Sequence, residues 1–388
     1  MERAELKSLL RATGVAEECG EFFFVRDPQR VERLPAEVGS ASAREGYGWL
    51  GLPTGGTSGR SRFARHDEVT LTTAVRGFCA HFGLERVNAV GVLPAYHVSG
   101  LMARVRCAAT QGSYVAWEWK QLELGKVPVL DRQTGDWVLS LVPTQLQRLL
   151  AWPTAVAWLR TFRVIFIGGG PVWPALAEAA AQAELPLSLS YGMTETAAMV
   201  TALRPDEFLS GNRSCGQALP HVRVSINVDG TVSVAGESVF HGYFPEWRPA
   251  REFQTEDNGN VDAHGHLHLT GRRDAVIITG GKKVQPTEVE AALRASGEFS
   301  DVAVLGVPDA EWGQVVVACY PEGGRMPDFA RAVVALAGAN KPKRFVAIRD
   351  WPRSALGKIN RATLATAVAS SLVSEGPREK ADGAKRCV

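Results

Sequence analysis

Residues 162–196 read FRVIFIGGGPVWPALAEAAAQAELPLSLSYGMTET. An apolar run, VIFI, leads into three glycines and a proline. An alanine-rich segment with helical spacing follows, and then a second short apolar run ends at Tyr191. Strand, loop, helix, strand is the minimal unit of a parallel sheet, because two parallel neighbours need a crossover and a helix is the usual one. Pro174 falls in the first turn of the expected helix, where its missing N–H costs nothing.

The same alternation extends in both directions. VNAVGVLP (87–94), GSYVAWEW (112–119) and DWVLSLVP (136–143) read as buried strands. HDEVTLTTAVRGFCAHFG (66–83) reads as a helix with acids at its front, and TQLQRLLAW (144–152) as a short helix with Thr144 as its N-cap. The class is therefore α/β: a large N-terminal domain with mostly parallel sheet flanked by helices. Residues 221–240 read as a hairpin about Asp229-Gly230. After Gly271, PTEVEAALRASG, DVAVLGVP, QVVVACYP and MPDFARAVVALAG predict a small α+β C-terminal domain. The division expected is 1–271, 272–370 and a tail, 371–388, whose charged, glycine-containing sequence predicts disorder. The opening as far as about residue 50 reads as weakly structured.

Bulk properties narrow the function classes. The chain has 388 residues, 45% hydrophobic and 22% charged, with a formal net charge of +2. That balance gives no field to attract nucleic acid or an anionic membrane. No window of roughly 20 residues is apolar enough to span a bilayer. The start, MERAELKSLLRATG, lacks the apolar core of a secretory leader, and the six cysteines form no CxxC pair. A cytoplasmic protein with reduced thiols is the expectation.

One glycine-rich loop and three polar or glycine-rich strand ends stand out. They are TGGTSGRSR (54–62), PAYHVSG (94–100), GGGP (168–171) and YGMTET (191–196). The carboxyl edge of a parallel sheet is the usual ligand crevice. Glycines let backbone approach a phosphate, and hydroxyls and arginines offset its charge. Neither a Walker A loop nor GxGxxG is present. Read singly, the first stretch also fits an inert glycine turn, His97 a satisfied loop histidine and Tyr191 a core aromatic.

Taken together, these motifs resemble the adenylate-forming superfamily of acyl-CoA and aryl-CoA synthetases over roughly residues 50–368. TGGTSGRSR is similar to its phosphate loop, and YGMTE (191–195) to its adenine and magnesium motif. GRRDAVIITGGKKVQPTEVE (271–290) is similar to the start of its mobile C-terminal domain, and SALGKINR (354–361) to its terminal lysine motif. LPAYHVSG (93–100) and ITGGKKVQPTEVE (278–290) bring the likeness nearest to the o-succinylbenzoate–CoA ligase branch, which serves menaquinone and phylloquinone synthesis.

The resemblance implies a reaction in two halves. A carboxylate and ATP give acyl-AMP and pyrophosphate, and coenzyme A then displaces AMP. It implies that Thr54, Gly55, Gly56, Thr57, Ser58, Gly59 and Arg62 hold phosphates, and that Gly168, Gly169 and Gly170 let the nucleotide and acyl group approach. Tyr191, Gly192 and Met193 would lie by adenine, Thr194 by the α-phosphate, and Glu195 on Mg²⁺, a hard cation that prefers oxygen. Asp257 would bind the ribose hydroxyls, and Arg272 would contact ribose or phosphate. Lys358 would be the catalytic lysine, with His97 at the acyl carboxylate and thiol entrance. Asp274 would be the hinge, and Gly280 and Gly281 would lie on the face that serves thioester formation. Ser99 and Arg106 would contact the acid, Arg106 clamping a second carboxylate. Glu256 stands where the family has glycine, and with Asp257 also fits a solvated turn. Arg106 also fits a helix surface, Arg272 a surface ion pair, and Lys358 a surface lysine. The partner implied is a small aromatic carboxylate.

This chain departs from the pattern at Gly55, Ser61 and Arg62, and carries only 53 residues before Thr54. A shortened first subdomain is expected, its sheet edges covered by what remains or by a second copy in a homodimer. Adenylation of a carrier-protein thiol, another acyl-CoA ligase activity, or a degenerate nucleotide-binding regulator are the alternative readings.

Overall fold

The computed structural model describes residues 1–28, 48–54, 62–131, 133, 135–249, 251–323, 325–353 and 359–374. The described chain forms two compact units that divide after Asp274.

The N-terminal stretch is not weakly structured in its described part. Helix α1 (Arg3–Thr13) buries Leu6 and Leu10 and is closed by Gly14 in the left-handed region at φ 69°. Strands β1 (Ala16–Cys19) and β2 (Phe22–Val25) form an antiparallel hairpin. All four β2 residues are buried, so it shows none of the alternation by which a half-buried strand is read. It runs parallel to β3 (Leu50–Thr54), which pairs antiparallel with β4 (Arg62–His66), and the sheet order is β1-β2-β3-β4. Phe22, Phe24, Phe63 and Phe244 pack into one buried aromatic cluster.

Helix α2 (Glu68–Phe82) starts where the sequence predicts, with Asp67 accepting from the Thr70 N–H at 2.9 Å. Asp67 also accepts from His241 and from the Gly48 N–H. Burial would raise its pKa, but these hydrogen bonds hold the carboxyl well below its usual range.

The central sheet follows the predicted alternation. Its strands are β5 (Asn88–Gly91), β6 (Tyr114–Ala116), β7 (Trp137–Leu141), β8 (Val164–Ile167), β9 (Leu187–Met193), β10 (Ala198–Ala202) and β11 (Gln217–Ala218). The order is β11-β10-β9-β8-β7-β5-β6, with β5 to β9 parallel and β10 and β11 antiparallel. The helices in this region are α3 (Val98–Ala109), α4 (Trp119–Glu123), α5 (Pro143–Leu150), α6 (Pro153–Leu159), α7 (Pro174–Gln182) and α8 (Pro205–Leu209). Thr144 is not the cap of α5. The helix starts one residue earlier at Pro143, and Gln145 folds back to accept from the Val142 N–H at 3.1 Å.

A third sheet contains β12 (Val222–Ile226), β13 (Thr231–Gly236), β14 (Glu252–Val261) and β15 (Leu267–Arg272), all antiparallel. The hairpin over 221–240 is present, but its turn takes in Asn227 to Gly230, because Asn227 still donates to the Thr231 carbonyl at 2.8 Å.

The second unit holds β16 (Ile277–Thr279), β17 (Lys282–Val284), β18 (Ala303–Asp309), β19 (Gly313–Pro321) and β20 (Arg344–Ile348). Its helices are α9 (Pro286–Ala295), α10 (Phe329–Ala332) and α11 (Arg361–Ser374). Two buried carboxylates organise it. Glu290, 2% exposed, accepts from the Val304 N–H at 2.8 Å and from Arg361, with Arg294 at 3.8 Å. Asp301 accepts from Trp351 Nε1 at 2.8 Å, from Arg353 and from Arg294. These pairs anchor Arg353 and Arg361, on either side of residues 354–358. Removing one charge of such a pair leaves the other buried and uncompensated. Glu290→Gln is expected to lower the stability of the second unit by about 3 kcal/mol, measured by urea denaturation. A change within about 0.5 kcal/mol, the usual size for a surface substitution, would contradict it.

Candidate functional site

Strand β9 ends at the sheet's carboxyl edge, and the chain turns there through a short 3₁₀ segment, Thr194–Thr196. Ala197 and Ala198 then adopt left-handed backbone at φ 54° and 80°. Non-glycine residues pay for that conformation, and such strain collects at functional turns. The Thr196 hydroxyl holds the turn, accepting from the Met193 N–H at 3.1 Å and donating to the Ala198 carbonyl at 2.7 Å. Gly192 is required, since a Cβ there would lie 1.9 Å from the Ala198 oxygen. At the end of β8, Gly169 has φ 78°, while a Cβ on Gly168 would meet Ser190 Oγ at 3.2 Å.

On one side of this turn Tyr191, 8% exposed, donates from its hydroxyl to Asp257 Oδ2 at 2.8 Å. Burial and the Asp257 charge push the phenol's pKa up, so it remains a donor. Asp257 is paired in register with Arg272 across β14 and β15, and its Oδ1 lies 3.4 Å from the guanidinium. Arg272 also donates twice to Asp274, at 2.8 and 2.7 Å. Glu256 lies in the same strand, not in a turn, and pairs with the exposed Arg273 at 2.9 Å. Four residues singled out from the sequence, Tyr191, Asp257, Arg272 and Asp274, thus form one chain of contacts.

On the other side stand Thr54 and Arg62, opposed in register at the end of the β3–β4 ladder. Gly55, Gly56, Thr57, Ser58 and Gly59, between them, lie outside the described residues, as does Lys358. The Thr54 hydroxyl donates to the Arg62 carbonyl at 3.2 Å. The Arg62 guanidinium sits 3.9 Å over the ring of Tyr243, and the Tyr243 hydroxyl donates to Glu195 Oε1 at 2.6 Å. His66, at the end of β4, is fully buried with Nε2 2.8 Å from the Thr194 carbonyl. A carbonyl only accepts, so Nε2 carries the proton, and Nδ1 is left to accept from the Thr70 hydroxyl at 3.1 Å.

Tyr243 and His66 were not singled out from the sequence. Tyr243 lies in HGYFP, just past the hairpin reading, and His66 opens a predicted helix segment. Neither has a local signal, because each meets the turn through a side-chain hydrogen bond to a residue far away in the chain.

His97 is the N-cap residue of α3, half-buried, with its ring 4.8 Å from that of Tyr96. Ser99 is half-buried in the first turn. Arg106 lies nine residues past His97 along α3, about 13 Å by helical rise. It is not on the helix surface: it is 5% exposed, with its guanidinium 4.1 Å over Phe78. Desolvation drives its pKa down to about 10. Its Nε has no partner among the described residues, and neither does either ring nitrogen of nearby His221. Burial, then the Arg106 charge, bring the His221 pKa down to about 4.

In the second unit Gly280 and Gly281 form the left-handed turn between β16 and β17, at φ 53° and 75°. Trp312 packs on Gly280, where a Cβ would fall 2.7 Å from its ring, and Lys343 Nζ lies 3.6 Å over that ring. Lys282, Lys283 and Lys341 are exposed on neighbouring segments.

Among the described residues no three His, Cys, Asp or Glu side chains converge on a metal, and no helix is long and apolar enough to cross a membrane. Glu195, 9% exposed with one oxygen bonded to Tyr243, suits Mg²⁺, which is commonly held by one or two carboxylates together with substrate phosphates and water.

This fold, a mixed α/β unit followed by a small α+β unit, is that of AMP-binding enzymes. The family model for AMP-binding enzymes matches residues 52–244, and that for their C-terminal domain matches residues 288–362. The chain belongs to this adenylate-forming family, as its motifs imply. Among curated relatives, a 2-succinylbenzoate–CoA ligase of Listeria innocua is 31% identical over 323 residues, covering 80% of this chain and 68% of the relative. Its counterpart in Listeria monocytogenes is 32% identical over 281 residues, covering 70% and 60%. The chain thus spans about two thirds or less of the length of these relatives. The Bacillus subtilis o-succinylbenzoate CoA synthetase, solved with its acyl-adenylate, shares the fold with a TM-score of 0.70 at 24% identity. The match covers 82% of this chain and 69% of that one.

The buried imidazole of His66 makes stability pH-dependent. Burial lowers its pKa to about 4, against about 6.5 in an unfolded chain. Between those values the unfolded chain binds a proton that the folded one refuses, so stability is complete above the window and falls as pH drops through it. The His66 contribution to this loss is expected to be about 2 kcal/mol between pH 7 and pH 5. His66→Gln, which keeps a donor but cannot titrate, is expected to lose that much less than the parent chain in denaturant melts at the two pH values. Equal losses would contradict this.

Proposed function

We propose that this chain is an ATP-dependent acid–CoA ligase acting through an acyl-adenylate on an aromatic acid with a second carboxylate, of the o-succinylbenzoate type. The observation that carries the proposal is the convergence at the end of β9. Tyr191, Asp257 and Arg272 stand on one side, and Glu195, Tyr243 and Arg62 on the other.

In the first half-reaction an acid oxygen attacks the α-phosphorus while the bond to the pyrophosphate oxygen breaks. The Asp257 carboxylate accepts hydrogen bonds from the ribose hydroxyls, oriented by Tyr191 and Arg272. Thr194 and the loop after Thr54 contact the phosphates. Mg²⁺, when bound at Glu195, supplies charge compensation for the phosphate oxygens. The Lys358 ammonium offsets the charge shared by the attacking carboxylate and the α-phosphate. In the second half the CoA sulfur, as thiolate, attacks the acyl carbon, and the bond to the AMP oxygen breaks. His97 lies at the acyl carboxylate, Asp274 serves as the hinge between the half-reactions, and Gly280 and Gly281 lie on the thioester-forming face. The exposed lysines about Trp312 complement the phosphates of CoA, which favours CoA as acceptor.

Arg106 supports the dicarboxylate assignment. A buried guanidinium without a carboxylate partner among the described residues is costly, and a ligand carboxylate would compensate it. The names of the Listeria relatives point to the same acid.

The test is acid-dependent pyrophosphate release across o-succinylbenzoate, benzoate, coumarate and fatty acids, with and without CoA. Release with o-succinylbenzoate and CoA is expected. No release with any acid would overturn the reading. Lys358→Ala is expected to abolish acyl-AMP formation while leaving thioester formation from supplied acyl-AMP largely intact. Equal loss in both half-reactions would contradict its role.

Arg106→Met keeps most of the packing volume and removes the charge. It is expected to raise KM for o-succinylbenzoate by about 10-fold or more, the scale of a lost charge-assisted hydrogen bond, with a smaller effect on benzoate. A uniform rise would reject the clamp.

A further inference from the structure

Tyr243 is fixed more firmly than a residue in a connecting loop needs to be. The segment from Phe240 to Phe244 lies along β4 as an added antiparallel strand. The His241 N–H donates to the Arg65 carbonyl at 2.8 Å, Arg65 N–H to Gly242 at 2.9 Å, and Phe244 N–H to Phe63 at 2.8 Å. Tyr243 is bridged directly to Ala64. The same segment grips Glu195 twice, by the Phe240 N–H on its carbonyl at 2.8 Å and by the Tyr243 hydroxyl on its carboxylate at 2.6 Å. The Phe240 ring packs edge-on against Tyr243 at 4.9 Å, and Arg62 lies over Tyr243 at 3.9 Å.

We infer that Tyr243 is a positioning residue that orients the Glu195 carboxylate toward a divalent cation and holds Arg62 in place at the start of β4. The inference rests on the reading of this site as one for ATP and a divalent cation.

The chemistry explains why the residue is a tyrosine. A phenol hydroxyl makes a short, charge-assisted bond to a carboxylate and fixes its orientation without cancelling its charge. Arginine or lysine in that place would neutralise the carboxylate and compete with the metal. The bond occupies Oε1, and no described residue hydrogen-bonds Oε2. The ring meanwhile holds the Arg62 cation on its π-face. Arg62 and Glu195 form no ion pair with each other, so the cation stays available for a phosphate and the anion for a metal.

The test uses the full chain with Mn²⁺ as the probe cation and a non-hydrolysable ATP analogue, without acid. Mn²⁺ uptake is read from the electron paramagnetic resonance signal of the free ion, and metal-free binding of the analogue by calorimetry. Tyr243→Phe is expected to weaken Mn²⁺ binding by about 10-fold or more, the range for loss of a group that orients a metal ligand. Its metal-free affinity for the analogue should be unchanged, because the ring still carries Arg62. Tyr243→Leu removes ring and hydroxyl, and is expected to weaken the metal-free analogue as well. Parent-like Mn²⁺ affinity in Tyr243→Phe overturns the inference alone. Equal loss of metal-free analogue binding in both variants overturns it too, since that is the mark of a merely structural residue. A parent chain that takes up no Mn²⁺ with the analogue overturns the site reading and the inference together.

Discussion

The hydrogen bond between buried His66 and the Thr194 carbonyl is the contact on which the candidate site depends. His66 ends β4, the strand that pairs antiparallel with β3. Thr194 begins the turn after β9, at the carboxyl edge of the central sheet. These belong to different sheets, and nothing in the chain's local geometry requires them to meet. A neutral imidazole does the joining because it can donate on one side and accept on the other, satisfying the Thr194 carbonyl and the Thr70 hydroxyl in a buried place. With that register set, Arg62, four residues back along β4, comes to lie over Tyr243, whose hydroxyl reaches Glu195.

Charge is handled differently in the scaffold and at the site. In the scaffold, the buried charges of Arg65, Asp67, Glu290 and Asp301 are each met by several partners. Arg65, 1% exposed, donates to the carbonyls of Gly48, Pro245 and Glu246, and Asp67 is met by His241 and two backbone N–H groups. Glu290 and Asp301 hold several cations between them in the second unit. At the site, satisfaction stops short. Glu195 is met at one oxygen by a neutral donor, and buried Arg106 faces an aromatic ring. Buried charge without full compensation is costly, and Glu195 keeps its carboxylate in a strained turn.

The central sheet was legible because its signals are local. VIFI followed by GGGP and an alanine-rich helix carries its own periodicity, and Pro174 marks where α7 begins. Strand β2 was not legible, since four buried residues in a row hide the alternation that identifies a strand. Helix α10 is shorter than the apolar spacing of MPDFARAVVALAG suggests, covering only Phe329–Ala332. Gly192 was readable as part of a motif, but its reason is the Ala198 oxygen on the neighbouring strand.

The sequence by itself determined the class of fold, the family and the identity of most candidate site residues. Those depend on residue order and spacing within short stretches, which the chain carries wherever it is placed. Tertiary structure alone decided that Tyr191 bonds to Asp257, that Arg106 is interior, and that His66 and Tyr243 belong to the site. Each of those facts concerns residues far apart in the chain, and is fixed by strand register and side-chain packing. Neither quantity exists until the sheets have formed.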